Sequence, residues 1–288
     1  TELIDNLVSE THPAIIEDVI IRRDVTNQIL GEGRRFDQLR WTDRLFLEKR
    51  RNMSISTEVM SLVHETTNEK LVALNIIDTP GHPDFLDQVQ VGLAMADGIV
   101  FCMDVVEGLT KIGTRLLVQC INTHLPIVLC LTKLDRLILE LKLPPCDAYL
   151  KMRQIIEDFN MVLRQNLYRN RVSPECFNTA FTSAHYTLCF TLDSIGLMYG
   201  SSDKDFQMEL DRNKMQIRQR PRAKDIACRL WGDYKLNMQT GQIKYTKESA
   251  NHLKDSFIAY VLEPLYKVFT QVLSYEPPVW SKNLNITL

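Results

Sequence analysis

The segment Leu74-Asn75-Ile76-Ile77-Asp78-Thr79-Pro80-Gly81-His82 carries the most information about the fold of this chain. Residues typical of a β-strand lead to Asp78, and a short turn then carries the chain through Gly81 to His82. An aspartate at the C-terminal end of a strand can hold a magnesium ion, usually through water. Gly81 lets its backbone N–H approach a phosphate because it has no Cβ. The alternative is an ordinary strand–turn–helix junction.

Strands and helices alternate around this segment. Strand patterns occur at 54–63, 71–77, 98–103 and 126–131, and amphipathic helices are expected at 111–123 and 147–166, with a further helix starting at Pro83. The runs at 98–103 and 126–131 are continuously apolar, which is typical of strands buried on both faces. This order predicts an α/β fold, a parallel sheet flanked by helices.

The pattern changes after residue 200. Residues 201–224 are polar and increasingly basic, Asp233 to Tyr245 predicts a hairpin, and 250–273 predicts a long amphipathic helix. We therefore expect a core at 1–200, a small α+β insertion with a hairpin at 201–248, a closing helix at 249–275 and a linker at 276–288.

Composition narrows the class of protein. The chain of 288 residues has 34 basic and 36 acidic side chains, so bulk charge favours no particular electrostatic partner. Its seven cysteines lack a CxxC pair and indicate reduced intracellular thiols, not a disulfide framework or zinc site. No apolar run reaches the length of a membrane-spanning helix and no secretory leader is visible, so we expect no membrane association.

A second polar segment, Thr132-Lys133-Leu134-Asp135, follows the strand that ends at Leu131. The carboxylate of Asp135 can accept both the ring N–H and the exocyclic amine of guanine, a donor pair that adenine lacks. The stem of Lys133 can lie along the purine face. A solvated Lys/Asp turn is the alternative. Further on, backbone N–H groups near Ser183-Ala184 can meet a guanine oxygen.

Together, in this order, the motifs resemble the guanine-nucleotide-binding domain of translational GTPases. Ala96-Asp97-Gly98 and Asp104–Gly108 are similar to the elongation factor 2 and EF-G branch. The run Asp135–Tyr149, with its Leu143-Pro144-Pro145 step, resembles the spliceosomal relatives of elongation factor 2 in the U5 small nuclear ribonucleoprotein (snRNP). The resemblance extends from Thr1 to about residue 275.

This resemblance implies a P-loop NTPase-type fold, GTP and Mg²⁺ as cofactors, a nuclear location and a switch or platform role in spliceosome activation and disassembly. The implied partners are the large U5 scaffold protein, the U5 snRNA and the U5 helicase. Carried over residue by residue, it assigns metal binding to Thr1 and Asp78, water orientation to His82, and nucleotide binding to Gly81, Thr132, Lys133, Asp135, Ser183 and Ala184.

The chain also departs from the family pattern. It contains no phosphate loop of the form GxxxxGK[ST], and by family position Thr1 falls on the residue that closes that loop. Thr132 replaces an asparagine and lacks its bracing amide. Met53 lies near the place of the metal-sensing threonine, where methionine coordinates magnesium poorly, and Ser54 can substitute only through a shifted register.

We therefore expect GTP binding with little intrinsic hydrolysis. An active GTP hydrolase, such as a ribosomal translocation factor, and a structural module without nucleotide are the alternatives. Separately, six basic side chains between Arg212 and Lys224 are sufficient to contact several RNA phosphates, although such a run is also typical of a solvated loop.

Overall fold

The computed structural model describes residues 1–11, 41–65, 70–200, 222–238, 243–246 and 253–274. The chain forms two compact units. The first consists of Thr1–Ile99 and Asn122–Pro126, and the second of Val100–Ile121 and Ile127–Leu288. In the described residues, no helix combines the length and apolar character needed to cross a membrane. The seven cysteines, all in described segments, form no disulfide.

The first unit is built on a β-hairpin. It contains α1 (Glu2–Thr11), α2 (Phe46–Arg51), β1 (Glu58–Glu65), β2 (Leu71–Asp78), a 3₁₀ turn (Pro83–Phe85) and α3 (Leu86–Met95). β1 and β2 pair antiparallel from Glu58↔Asp78 to Glu65↔Leu71. The predicted strand pair is therefore confirmed. Its first strand begins at Glu58 and not at Ser54, because residues 54–56 bond to side chains outside the hairpin.

The second unit contains a four-stranded sheet in the order β3-β4-β5-β6. The strands are β3 (Ile99–Asp104), β4 (Ile127–Thr132), β5 (Thr179–Ser183) and β6 (Leu188–Phe190). β4 and β5 run parallel, and β5 and β6 antiparallel. The Ile99 N–H donates to the Pro126 carbonyl and the Val105 N–H to the Thr132 carbonyl, so β3 also runs parallel to β4.

Helices accompany this sheet, and the predicted α/β class is confirmed. They are α4 (Lys111–Asn122), α5 (Leu134–Leu139), α6 (Pro145–Gln165) and α7 (Leu192–Tyr199). α6 buries Met152 and Phe159, and β4 buries Leu129 and Leu131. The expectation that residues 98–103 and 126–131 are buried on both faces is wrong for Val100 and Val128, which are 62% and 37% exposed, so one face of each strand is left partly uncovered.

A second, three-stranded sheet has the order β8-β7-β9. Its strands are β7 (Tyr234–Asn237), β8 (Ile243–Tyr245) and β9 (Leu253–Asp255), and it is accompanied by α8 (Ala223–Cys228). β7 and β8 form the predicted hairpin, whose turn at 239–242 lies outside the described residues. Arg212–Pro221 and the expected linker at 276–288 also lie outside them.

The helix expected over 250–273 starts later than predicted. Leu253–Asp255 is strand β9, paired with β7, and a π-helical turn (Ile258–Leu262) then leads into α9 (Glu263–Ser274). The side chain of Ser256 fixes this change, since its hydroxyl lies within hydrogen-bond distance of the carbonyls of Arg229, Leu230 and Tyr234. Backbone pairing thus overrides the apolar periodicity at the start of this segment.

Aromatic side chains join the three-stranded region to α6 within the second unit. Tyr149 of α6 packs on Trp231 and Phe257, with ring centroids 5.1 and 5.5 Å apart. Its hydroxyl donates to the Gly232 carbonyl at 3.0 Å and accepts from the Gly232 N–H at 3.2 Å. Burial raises the pKa of Tyr149 to about 12, so the hydroxyl keeps its proton at neutral pH.

Candidate nucleotide-binding site

Asp78, at the end of β2, is surrounded by hydroxyl groups. The Thr1 Oγ1 donates to Asp78 Oδ2 at 3.0 Å, and the Thr42 Oγ1 donates to the same oxygen at 2.6 Å. The two residues predicted to bind metal, Thr1 and Asp78, therefore lie together in the first unit. Thr42, which sequence reasoning missed, shares the same carboxylate and is buried.

Ser54 also joins this group. Its hydroxyl lies 3.2 Å from Thr1 Oγ1 and donates to Asp43 Oδ1 at 2.7 Å. The shifted register considered in the sequence therefore places the Ser54 hydroxyl beside Thr1, which is predicted to bind metal, whereas the Met53 side chain contains no oxygen. We call Thr1, Thr42, Asp43, Ser54 and Asp78 the hydroxyl cluster.

The donor chemistry of the hydroxyl cluster fits magnesium. Its atoms are hard oxygens, and neighbouring ligands of an octahedral Mg²⁺ are about 2.9 Å apart, given metal–oxygen bonds of about 2.0–2.1 Å. Thr1 Oγ1 and Asp78 Oδ2 are 3.0 Å apart, a separation common to a hydrogen-bonded pair and to two neighbouring octahedral ligands. The described residues contain no group of three or more His, Cys, Asp or Glu side chains suited to a metal. The hydroxyl cluster does not form such a group, because three of its five members supply hydroxyl oxygens and only Asp43 and Asp78 supply carboxylates.

The turn after Asp78 leaves room beside Gly81. An ideal Cβ built on Gly81 would meet no heavy atom within 4 Å. Packing in the described residues therefore does not require a glycine there, and the open space is compatible with the predicted approach of a phosphate.

His82 caps the 3₁₀ turn that follows. Its Nδ1 accepts from the Asp84 N–H at 3.2 Å and lies 3.6 Å from Asp84 Oδ2. The imidazole is 43% exposed, and its ring centroid lies 5.8 Å from that of Phe85. With Nδ1 used as an acceptor, Nε2 is the nitrogen available for orienting a water.

The predicted guanine-binding residues lie in the second unit. Ser183, at the end of β5 and fully buried, donates a short hydrogen bond from Oγ to Asp135 Oδ1. Ala184 follows it as the first residue of the 3₁₀ turn Ala184–Tyr186. The carboxylate of Asp135 is thus oriented from one side, while each of its oxygens has further lone pairs for a base.

Thr132 and Lys133 shape the loop that carries Asp135. The Thr132 Oγ1 donates to the Met103 carbonyl at 3.2 Å, and the Val105 N–H donates to the Thr132 carbonyl at 3.1 Å. The threonine hydroxyl therefore ties the end of β4 to β3. Lys133 adopts φ +62°, a left-handed conformation that is uncommon for a residue with a side chain.

Asp104, at the end of β3, anchors the same loop through charge. Its Oδ2 lies 3.1 Å from Lys133 Nζ and 2.8 Å from Arg136 Nη1, and its Oδ1 accepts from the Val106 N–H at 2.7 Å. Burial raises the pKa of Asp104, but the Val106 hydrogen bond and the two cations lower it by more, so the net pKa lies below 3.8. In the sequence, Asp104 is noted only as the first residue of Asp104–Gly108, which resembles the elongation factor 2 and EF-G branch.

Comparison with known proteins agrees with these motifs. The family model of the elongation factor Tu GTP binding domain matches residues 1–272. The pre-mRNA-splicing factor cwf10 of Schizosaccharomyces pombe is 38% identical over 250 residues, covering 86% of this chain and 24% of that protein. The 109 kDa U5 small nuclear ribonucleoprotein component GFL of Arabidopsis thaliana is 36% identical over 239 residues, covering 82% and 23%.

A third relative, the pre-mRNA-splicing factor SNU114 of Saccharomyces cerevisiae, is 31% identical over 280 residues, covering 96% of this chain and 24% of that protein. The chain thus spans about a quarter of the length of these curated relatives. The resemblance expected from the sequence, to translational GTPases and to their U5 relatives, is confirmed.

Proposed function

Because the chain belongs to the elongation factor Tu GTP-binding domain family, we propose that it binds GTP with magnesium and acts as a switch or platform in pre-mRNA splicing. The splicing role is supported by relatives named as two pre-mRNA-splicing factors and one U5 component. It implies a nuclear protein that assembles with the large U5 scaffold protein, the U5 snRNA and the U5 helicase.

The observation that carries the proposal is the Asp135–Ser183 pair. Ser183 holds one carboxylate oxygen of Asp135 at the end of the parallel strands, where ligands bind in such sheets. An oriented carboxylate accepts the two N–H groups of guanine together, and adenine leaves this charge unmatched. Lys133, drawn to Asp104, offers its aliphatic stem to the purine face.

The hydroxyl cluster supplies the proposed metal end. Thr1 and Asp78 would hold the cation directly or through water. Ser54 would take the place of the metal-sensing threonine, whose position depends on whether the terminal phosphate is bound. When bound, magnesium neutralises charge on the phosphate oxygens. The chain itself contributes the Thr1 hydroxyl, which lies 3.2 Å from that of Ser54 and 3.0 Å from Asp78 Oδ2, and Gly81, where a Cβ would meet no heavy atom within 4 Å.

Slow intrinsic hydrolysis is part of the proposal. His82 is engaged as a cap through Nδ1 and is nearly half exposed, so its ring is not held toward an attacking water by the described residues.

An active GTPase is the second candidate, and one observation favours it. Ser54 places a hydroxyl beside Thr1, so the metal end of the proposed site has an oxygen that the Met53 side chain cannot supply.

Single-turnover hydrolysis distinguishes these two candidates. The purified protein is loaded with GTP and magnesium, and the inorganic phosphate released is followed over hours. We expect a rate close to that of free GTP, and His82→Ala leaves it unchanged. A clear rate that falls about 100-fold or more in His82→Ala is the result that establishes the active GTPase instead.

Guanine selection by Asp135 is tested by Asp135→Asn. Asparagine replaces one carboxylate oxygen by an NH₂ donor, which opposes the guanine donors and matches a carbonyl at the same position of xanthine. We expect GTP affinity to fall about 100-fold or more, with a gain for xanthosine triphosphate. Isothermal titration measures both. Asp97→Asn, at an exposed aspartate, is the matched control and leaves both affinities unchanged.

A structural module without nucleotide is distinguished by its contents. Acid extraction of the native protein and chromatography of the released nucleotides are expected to yield about one guanine nucleotide per chain. An empty protein that also fails to take up GTP with magnesium contradicts the proposal.

RNA contact through Arg212–Lys224 is tested separately, by crosslinking to U5 snRNA before and after replacing the basic residues of this segment with glutamine.

A further inference from the structure

Glu48 is the one acidic residue of α2, and its buried side chain is surrounded by backbone N–H groups. Its Oε2 accepts from the Leu45 N–H at 2.9 Å. Its Oε1 accepts from the N–H groups of Ile55 at 2.9 Å and Ser56 at 3.0 Å. The residue is 0% exposed, so these hydrogen bonds replace the water that an ionised carboxylate needs.

The main chain of Glu48 adds a further connection. Its carbonyl accepts from the N–H of Asn52, the left-handed residue that ends α2, and from the N–H of Met53 at 3.2 Å. The side chain and carbonyl of Glu48 therefore bond to residues on both sides of Ser54. We call residues 45–56 the Glu48 loop.

Ser54 is the residue of this loop that reaches the hydroxyl cluster. With Met53 and Ile55 both bonded to Glu48, the backbone at Ser54 has little freedom, and its hydroxyl is directed to Asp43 and Thr1. The hydrogen bonds from Ile55 and Ser56 to the Glu48 carboxylate act on the cluster through the backbone next to Ser54, while the nearby negative charge of Asp43 acts on Glu48 directly and opposes its ionisation.

We propose that Glu48 is a positioning residue, whose buried carboxylate keeps the Glu48 loop closed so that the Ser54 hydroxyl stays at the metal end of the site. The role in metal binding rests on the proposed function, whereas closure of the loop does not. Loss of the carboxylate opens the loop, exposes the bonds after Lys49, Arg50 and Arg51 to protease, and weakens magnesium binding without altering guanine selection.

Limited trypsin digestion of the nucleotide-free protein tests loop closure. Lys49, Arg50 and Arg51 are exposed in α2, so cleavage there is limited by opening of the loop and not by access to the side chains. We expect Glu48→Ala to raise the cleavage rate at these bonds about tenfold or more. Glu48→Gln, which keeps one acceptor oxygen for Ile55 and Ser56 but turns an NH₂ toward Leu45, raises it less.

Two comparisons separate positioning from general loss of structure. Glu65→Gln, at an exposed glutamate of β1, is the matched control and leaves the cleavage pattern unchanged. Cleavage after Lys151 and Arg164 of α6 is followed in the same digests. An equal rise at α6 and at the Glu48 loop, or no rise at the loop in Glu48→Ala, overturns the proposal.

Titration with magnesium tests the effect on the metal end. The magnesium concentration that gives half-maximal binding of a fluorescent GTP analogue is expected to rise about tenfold in Glu48→Ala and in Ser54→Ala. Ser54→Ala leaves tryptic cleavage unchanged, since the loop stays closed without the hydroxyl. An unchanged magnesium requirement in Glu48→Ala overturns the positioning role.

A protein that binds no GTP under any condition contradicts the proposed function and removes the metal role of Glu48 with it. The digestion then still decides whether the carboxylate closes the loop. Should Glu48→Ala fail to fold, Glu48→Gln carries both measurements, because it preserves the volume and one acceptor.

Discussion

At the scale of single residues, the buried carboxylate of Glu48 and the partly buried carboxylate of Asp104 hold loops of the candidate site in different ways. Burial raises the pKa of Glu48, but hydrogen bonds from Ile55, Ser56 and Leu45 lower it by more, so the net pKa is below 4.5. Asp104 reaches a lowered pKa with one backbone N–H and two cations. Both are ionised at neutral pH, and both hold loops that carry residues of the proposed site.

The pH dependence of stability should report the Asp104 interactions. Because the pKa of Asp104 in the folded protein lies below 3.8, folding favours the ionised form, and the stabilisation is present above that pH and is lost as pH falls through the folded-state value. We expect Asp104→Asn to lower the free energy of unfolding by about 1–2 kcal/mol at pH 7, since Lys133 is half exposed and its share is screened.

Urea denaturation of both proteins between pH 7 and pH 3 measures this difference. It should shrink steadily below pH 3.8, where Asp104 takes up a proton in the unfolded chain and then in the folded one. Asp97→Asn, at an exposed aspartate, is the matched control. A difference that stays constant to pH 3 would mean that packing, and not charge, anchors the loop at Asp104.

At the scale of elements, α7 and α8 pack closely through a glycine. A Cβ at Gly196 would lie 2.4 Å from the Ala223 carbonyl oxygen and 2.9 Å from the Ala227 Cβ. Alanine favours a helix over glycine by about 1 kcal/mol. The clash nevertheless involves backbone that cannot rotate away, so Gly196→Ala is expected to destabilise the protein by about 1–3 kcal/mol.

The matched control is Gly113→Ala in α4, where a Cβ would meet only the side chains of Thr110 and Leu109, at 3.3 and 3.4 Å. Those side chains can adjust, so the helix preference of alanine leaves stability unchanged or slightly raised. Midpoints of thermal unfolding compare the two variants. A stabilised Gly196→Ala would show that α7 and α8 separate readily.

Element boundaries also show what the sequence could predict. Periodicity located the helices Lys111–Asn122 and Pro145–Gln165 within two residues, because one face of each is buried. It misplaced the start of the helix before Glu263, where apolar Leu253 belongs to a strand. A period cannot reveal that β7 offers backbone partners, because such partners come from distant parts of the chain.

The candidate site shows the same division. Asp78, Thr132 and Asp135 could be found because each follows an apolar strand, where a polar residue is conspicuous. Thr42, Asp43 and Glu48 could not, because they lie in a charged, irregular segment without periodicity. Their side chains gain a role only through their partners in the folded chain, which are Asp78 for Thr42, Ser54 for Asp43, and Ile55 and Ser56 for Glu48.

At the scale of the whole molecule, the proposed site residues fall in both compact units. The hydroxyl cluster belongs to the first unit, and Thr132, Asp135 and Ser183 belong to the second. Each group is held by its own hydrogen bonds, so a substitution in one leaves the local geometry of the other intact. Metal-dependent and base-dependent parts of nucleotide affinity should therefore be separable by mutation.

Removal of magnesium tests this separation. A ligand at 100 times its dissociation constant stabilises the folded state by about 2.7 kcal/mol, which raises the midpoint of thermal unfolding. We expect GTP with magnesium to give the full rise in the unmodified protein and GTP with EDTA a smaller one. In Asp78→Asn, which keeps an acceptor for Thr1 and Thr42, both conditions should give the smaller rise.

Asp87→Asn, at an exposed aspartate of α3, should retain the magnesium-dependent part. In Asp135→Asn the rise with GTP should disappear with or without magnesium, because the base is no longer held. A full magnesium-dependent rise in Asp78→Asn would contradict the assignment of the hydroxyl cluster to the metal. The asparagine in Asp78→Asn still accepts the hydrogen bonds from Thr1 and Thr42, so unfolding would not explain a full magnesium-dependent rise. The metal would then have to bind elsewhere.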